Sequence, residues 1–356
     1  MKINRFMIAA PKSGSGKTMI TCALLQLLKD SGKNVSSYKC GPDYIDPMFH
    51  QKVLGVPSKN LDTFFTDEKT TVQLFLDKRA DGDFAVLEGV MGLYDGLGGI
   101  YEQGSSYHLA KVTQTPIILV VDAKGMGKSV LALIAGFLQY DTQHLIKGVL
   151  LNRMSKGYYD IIKPLIEKEL SVKVVGYFPE QKDIGFSSRH LGLVMPDELA
   201  DIKEQLDELA GRLKKTIDLD MLLDIAVEAE EITKTTNTEQ MQIQNQNNTV
   251  NIAVAMDEAF CFYYEDNLRL LEKCGAKLQY FSPLHDTKLP DNCDALLLGG
   301  GYPELYAKEL SENVSMRESI KKAFRAGLPT VAECGGFMYL HKYIHDICDD
   351  TDEQNK

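Results

Sequence analysis

The sequence predicts an α/β protein: a parallel sheet built around a phosphate loop (P-loop), with helices on both faces, followed by a second α/β unit. Three observations predict it. Short apolar, β-branched runs alternate with helical patterns through the first part of the chain. A Gly-Ser-Gly-Lys-Thr loop at 14–18 joins the first strand to the first helix. A polar stretch at 237–248 then interrupts the pattern, and strand–helix alternation restarts behind it.

In order, Phe6–Ala10 reads as a buried strand and Lys17–Lys29 as the helix after the loop. Val35–Lys39, Phe84–Leu87, Ile117–Val121, Gly148–Leu151 and Val174–Tyr177 read as further strands, with helical patterns at Val130–Leu138 and Tyr158–Leu170. Leu219–Ile232, acidic with apolar positions at helical spacing, reads as a closing helix. Eight of the twelve residues Asn237–Asn248 are Asn or Gln, which leaves no apolar face to bury and predicts a linker. The expected domains are therefore 1–233 and 251–356, joined by a linker at 234–250. In the second, Ile252–Ala255, Lys277–Phe281, Ala295–Leu298 and Thr330–Ala332 read as strands, and Tyr263–Lys273 and Ser315–Arg325 as helices.

Composition excludes several classes. The chain has 356 residues, with 39 Lys+Arg against 50 Asp+Glu, a net charge of −11. This argues against a nucleic-acid partner, which needs clustered cations, and leaves a local anion site possible. The longest apolar runs, Pro116–Val121 and Ala295–Leu298, are too short to span a bilayer, and Phe6–Ala10 is too short for the core of a signal peptide. Seven scattered cysteines, with no Cys-x-x-Cys pair, make neither a disulfide framework nor a zinc cluster and suit a reducing cytoplasm.

The candidate chemistry lies in four places. In the phosphate loop, Gly14 and Gly16 free the backbone to wrap phosphates at a helix N-terminus, Lys17 reaches the β- and γ-phosphates of ATP, and Thr18 holds Mg²⁺. Pro11 stands where the usual pattern has Gly. Lys12, five residues before Lys17, is a loop lysine that in some dimeric ATPases reaches the partner's nucleotide. Two Gly-rich acidic segments, 39–47 and 87–96, follow strands on the nucleotide side and can supply metal ligands or grip a substrate. Asn152, at a strand end, either reads an adenine edge or caps the next helix. Asp122 and Arg189-His190 are weaker candidates. Finally, 331–340 is a strand, a sharp turn at Cys334-Gly335-Gly336 and a helix, the form of a nucleophile elbow, and Gly300 and Gly301 form a Gly-rich loop fit for an oxyanion. No base for that thiol is legible: His341 and His345 lie along the helix that starts at the elbow, and His285 is in a loop.

Taken together, these segments resemble the cobyrinate a,c-diamide synthase family, glutamine-dependent amidoligases of cobalamin biosynthesis. The resemblance spans essentially the whole chain, through Gly16-Lys17-Thr18, Gly-Pro-Asp-Tyr-Ile-Asp-Pro at 41–47, Glu-Gly-Val-Met-Gly-Leu-Tyr-Asp-Gly at 88–96, Arg-His-Leu-Gly-Leu at 189–193, Asp-Glu-Ala-Phe-Cys-Phe-Tyr-Tyr at 257–264, 299–304 and Ala-Glu-Cys-Gly-Gly at 332–336. It implies a dethiobiotin synthetase-like ATP domain and a class I glutamine amidotransferase domain. ATP would phosphorylate an acetate carboxylate of a corrinoid, and ammonia, free or released from glutamine, would displace phosphate. By position, Lys17 and Thr18 bind phosphate and Mg²⁺, Asp46 and Glu88 are metal or catalytic carboxylates, Asp43, Tyr44 and Asp95 place the substrate, and Cys334 is the glutaminase nucleophile.

The family's amidotransferase domain continues past its elbow and carries its catalytic histidine in a later motif. An elbow followed by about one helix therefore predicts an incomplete domain with an open sheet edge and little glutaminase activity. Amidation of another tetrapyrrole, hydrogenobyrinate or nickel-sirohydrochlorin, and a partition-type ATPase switch are the alternative expectations, and a homodimer is a candidate assembly.

Overall fold

The computed structural model describes residues 2–77, 84–181, 199–232 and 249–344. The chain divides into two compact units, Met1–Asn237 and Thr238–Lys356.

The first unit contains β1 (Asn4–Ala9), α1 (Lys17–Asp30), β2 (Val35–Cys40), α2 (Ile45–Lys52), β3 (Ser58–Leu61), α3 (Glu68–Phe75), β4 (Phe84–Glu88), α4 (Ser106–Val112), β5 (Ile117–Asp122), α5 (Ser129–Tyr140), β6 (Ile146–Asn152), α6 (Lys156–Leu170), β7 (Lys173–Phe178), α7 (Leu199–Lys214) and α8 (Leu219–Val227). Its seven strands are all parallel, in the order β3-β2-β4-β1-β5-β6-β7. Period-two alternation feeds two cores. Met7 and Ala9 of β1 enter one, Phe6 and Ile8 the other, and β5 splits in the same way, with Leu119 and Val121 on one side and Ile118 and Val120 on the other. Because all the strands run parallel, their carboxyl ends lie at one edge, where ligands of open α/β sheets bind.

The second unit contains β8 (Val250–Ala255), β9 (Phe260–Phe262), α9 (Glu265–Lys273), β10 (Ala276–Phe281), β11 (Ala295–Leu298), β12 (Gly300–Gly301), α10 (Ala307–Glu312), α11 (Val314–Arg325), β13 (Thr330–Ala332) and α12 (Gly335–Tyr339). Its parallel sheet runs β10-β8-β11-β13, and β12 pairs with β9 in a separate antiparallel ribbon.

Several expectations differ from this. The closing helix stops at Val227, not Ile232. The buried Arg5 guanidinium donates to the Glu230 carbonyl (2.7 Å), so that carbonyl serves a long-range contact while Ile232 still packs into the core. The Gly-rich segment 39–47, expected to follow the second strand, lies in β2 as far as Cys40 and enters α2 at Ile45. β3 was not legible because Ser-Lys-Asn-Leu lacks an apolar alternation, yet it is largely buried beside β2. Residues 234–248 of the expected linker lie outside the described residues, and β8 begins at Val250, the linker's expected last residue. Among the described residues, no helix is long and apolar enough to cross a membrane, and the six described cysteines are free thiols.

Arg5 itself is fully buried and donates to carbonyls of Ile3, Thr113, Gln114 and Glu230. Burial pulls its basicity down to about 10, against a weaker opposing pull from Glu230. Arg5→Ala would strand several buried acceptors, so urea denaturation is expected to show a loss of at least about 3 kcal/mol. A change below about 1 kcal/mol would show that water replaces the guanidinium at no cost.

Candidate active site

The phosphate loop lies between β1 and α1. Gly16 has φ +90, and a Cβ there would lie 2.4 Å from the Asn152 amide nitrogen, so the position demands glycine twice over. Asn152 ends β6, buried beneath the loop. Its amide donates to the Ser15 carbonyl (2.8 Å) and its oxygen accepts from Arg153 N–H (2.9 Å). This bonding fastens the loop, and the N-cap residue of α6 is Ser155. Next to it, Arg153 pairs with Asp122, the residue in register with Asn152 at the end of β5.

Lys17 is buried and donates to the Met91 carbonyl (2.5 Å) in the loop after β4. Burial lowers its basicity, with Glu88 pulling the other way. The Thr18 hydroxyl donates to Glu88 Oε1 (2.7 Å) and lies 3.5 Å from Asp46 Oδ2. Glu88 is the last residue of β4 and is fully buried, and Asp46 sits in the first turn of α2.

Between these carboxylates lies Lys39, a residue to which sequence reasoning attached no role. Its ammonium donates to Glu88 Oε1 (2.8 Å) and to Asp46 Oδ2, with Asp43 3.7 Å away. Lys39 and Glu88 are register partners on adjacent parallel strands, so sheet geometry alone places them side by side. Burial opposes the charge on Lys39, but Glu88, Asp46 and Asp43 outweigh it and hold the amine above the ordinary lysine range. Burial, then Glu88, raises the Asp46 carboxyl, while Lys39 pulls it back.

Of the expected substrate-side residues, Asp43 spends Oδ1 on the N–H groups of Ile45 and Asp46, fixing the start of α2, and Asp95 Oδ2 accepts from Gly92 N–H (2.9 Å). Asn60, at the edge of β3, donates to the carbonyls of Gly41 and Asp43 and so secures the same loop. Tyr44 is the residue before α2. Arg189-His190 lies outside the described residues.

In the second unit Cys334 stands between β13 and α12 with φ +49 and ψ −115, a conformation L residues rarely hold. The strain is held by Gly336 N–H donating to the Gly299 carbonyl (2.8 Å) and Glu333 N–H to the Leu298 carbonyl (3.0 Å). The thiol is exposed, and a Cβ built on Gly300 would lie 3.4 Å from that of Cys334. Gly301 (φ +156) has room for no side chain, since a Cβ would meet the Ala259 carbonyl at 2.0 Å. Tyr263, unassigned by sequence reasoning, accepts from Gly299 N–H (2.7 Å) and donates to the Ala255 carbonyl (2.6 Å), anchoring the glycine loop. His341 bonds to the Phe337 carbonyl and His285 to Glu258, so neither of these described histidines is committed to the thiol. His345 lies outside the described residues.

Comparison with known proteins agrees with this two-part layout. Residues 6–193 match the CobQ/CobB/MinD/ParA nucleotide binding domain, and residues 251–355 match the CobB/CobQ-like glutamine amidotransferase domain. The chain is 42% identical over 340 residues to the cobyrinate a,c-diamide synthase of Listeria innocua, covering 95% of this chain and 74% of that protein. It is 42% identical over 343 residues to that of Caldanaerobacter subterraneus subsp. tengcongensis (96% and 74%) and 41% identical over 346 residues to that of Thermoplasma volcanium (97% and 74%). The chain belongs to the cobyrinate a,c-diamide synthase family.

Below Asp46, His50 of α2 is fully buried, and burial pulls its imidazole down to about 4. The unfolded chain takes up this proton near pH 6.5 and the folded one only near pH 4. The stabilisation is therefore complete above pH 6.5 and is lost as pH falls through that window, by roughly 3 kcal/mol. Urea midpoints between pH 7.5 and 5 should fall in the wild type and fall less in His50→Asn. Parallel slopes would remove His50 as the cause.

Proposed function

We propose that this protein is an ATP-dependent amidoligase that converts the a- and c-acetate carboxylates of cobyrinate to amides in cobalamin biosynthesis, taking nitrogen from glutamine or free ammonia. The observation that carries the reading is the buried cluster of Lys39, Asp46 and Glu88 against Thr18 at the mouth of the phosphate loop.

A carboxylate is a poor electrophile and must be activated before ammonia can attack it. One substrate carboxylate oxygen attacks the γ-phosphorus of ATP, the P–O bond to ADP breaks, and an acyl phosphate results. Ammonia then attacks the acyl carbon, inorganic phosphate leaves, and the nitrogen gives up a proton. Lys17 neutralises the phosphates, and Asp43, Tyr44 and Asp95 line the loops where the corrinoid acid would lie. The two carboxylates carry two negative charges and Lys39 cancels one, so the cluster keeps one uncompensated negative charge for a cation. Mg²⁺ fits the donor set: Thr18, Asp46 and Glu88 offer hard oxygens, and Glu88 Oε2 is buried with no hydrogen-bond partner. Held by these residues, Mg²⁺ would supply positive charge that offsets the negative charge of the phosphates.

Cys334 would attack the glutamine carboxamide carbon, release ammonia and leave a thioester for water to hydrolyse, with Gly300 and Gly301 toward the oxyanion. Free ammonia is mostly ammonium at neutral pH, so nitrogen released by the enzyme needs shelter from solvent. A reducing cytoplasm keeps such a thiol active. The assembly proposed for test is a homodimer in which Lys12, exposed in the phosphate loop, would reach the partner's nucleotide.

The test is amide formation from cobyrinate with ATP and Mg²⁺, supplied with either ammonium or glutamine. Lys17→Ala is expected to lower both rates by at least about a hundredfold. Cys334→Ala should abolish whatever glutamine-supported rate the chain shows and leave the ammonium-supported rate within about twofold. Amidation that survives Lys17→Ala would overturn the ATP-activation reading.

A further inference from the structure

A second layer of polar side chains lies behind the carboxylate cluster, and it repeats the site one structural period deeper. Cys22 follows Thr18 by one turn of α1, His50 follows Asp46 by one turn of α2, and Ser37 precedes Lys39 by two residues on the same face of β2. All three are essentially fully buried. The His50 ring joins them: Nδ1 lies 2.7 Å from Ser37 Oγ, and Nε2 lies 3.6 Å from Cys22 Sγ. Ser37 Oγ continues to Ser58 Oγ (3.2 Å), its register partner on β3. The His50 carbonyl accepts Val56 N–H (2.9 Å), tying the exit of α2 to the turn before β3.

The residues on α1, β2 and α2 that build the site thus have neighbours on the same faces of those elements bonded to, or forming, one imidazole. Asp46 needs such support. It rides on an eight-residue helix, too short to hold its place by its own hydrogen bonds. Asp43 fixes the first turn through the Ile45 and Asp46 N–H groups, and Gln51 Nε2 donates to the Ser58 carbonyl (2.8 Å) at the other end; the His50 ring adds a tie to α1 as well as to β2. An apolar side chain at position 50 could fill the volume. It could not fix the rotation of α2 against both α1 and β2, which two directional bonds do.

We propose that His50 is a positioning residue for the Asp46 carboxylate: by locking α2 onto α1 and β2 it holds Asp46 against Lys39 and Thr18 in the arrangement that accepts Mg²⁺ with nucleotide. The inference rests on the proposed role of Asp46 as a metal-side carboxylate. It assigns His50 no contact with substrate.

ADP affinity, measured by calorimetry with and without Mg²⁺ on the full chain, tests it. In His50→Phe the gain in affinity that Mg²⁺ confers is expected to shrink about tenfold, and the metal-free affinity to stay within about twofold. The ATP KM of the ammonium-supported reaction, measured in saturating Mg²⁺, should rise by a similar factor. His50→Asn, whose amide can still meet Ser37, should recover part of both losses. If His50→Phe does not fold, Ser37→Ala removes the Nδ1 partner without opening a large cavity and is read in the same way. An unchanged Mg²⁺ gain, or equal losses with and without the metal, would overturn the positioning role. Asp46→Asn separates the two ideas. If it loses the Mg²⁺ gain while the His50 variants keep it, the positioning role alone fails. If it keeps the gain, the assignment of Asp46 fails.

Discussion

A single buried ammonium organises the nucleotide end of this protein. Lys39 lies between Asp46 and Glu88, and the nearest Glu88 oxygen also accepts from Thr18. Without that ammonium two carboxylates would face each other in a site sealed from water, at a cost no short helix could bear. With it, the pair persists as one net negative charge beside a phosphate loop. The register of β2 against β4 sets the Lys39–Glu88 half of the contact, and the start of α2 sets the Asp46 half. The loops after three strands are thereby committed to one small volume.

Much of this was legible from residue order. Gly16-Lys17-Thr18 between a strand and a helix carries its geometry in its spacing, and Glu88 ending an apolar strand carries its own. Lys39 was not legible as a site residue. A lysine near a strand end ordinarily reaches solvent, and only the pairing order β2-β4-β1 shows that this one is enclosed by neighbours from distant sequence. His50 was hidden for the same reason, since its partners are 28 and 13 residues away. Asn152 was legible as a strand-end amide but not in its bonding, which depends on the loop folding back over it. β3 escaped notice because its polar residues are buried by tertiary contacts that no local periodicity reports.

The second unit achieves its geometry by different means. Its thiol is set by backbone strain, held in place by glycines that allow main chains to touch and by the Tyr263 hydroxyl beneath the loop. The string Ala-Glu-Cys-Gly-Gly announces the elbow, but the neighbouring glycine loop is steadied by a tyrosine 36 residues before Gly299. The first unit tunes charge by burial, whereas the second tunes the placement of one atom. A ligase that makes a carboxyl group attackable and supplies it with nitrogen needs both.

The central claim is that ATP activates the substrate carboxyl group by phosphorylating it. Cobyrinate labelled with ¹⁸O in its acetate carboxylates, turned over with ATP, Mg²⁺ and ammonium, tests this most directly by mass spectrometry of the phosphate released. The account predicts one labelled oxygen transferred to phosphate for each amide formed. Phosphate free of label, alongside amide product, would contradict it.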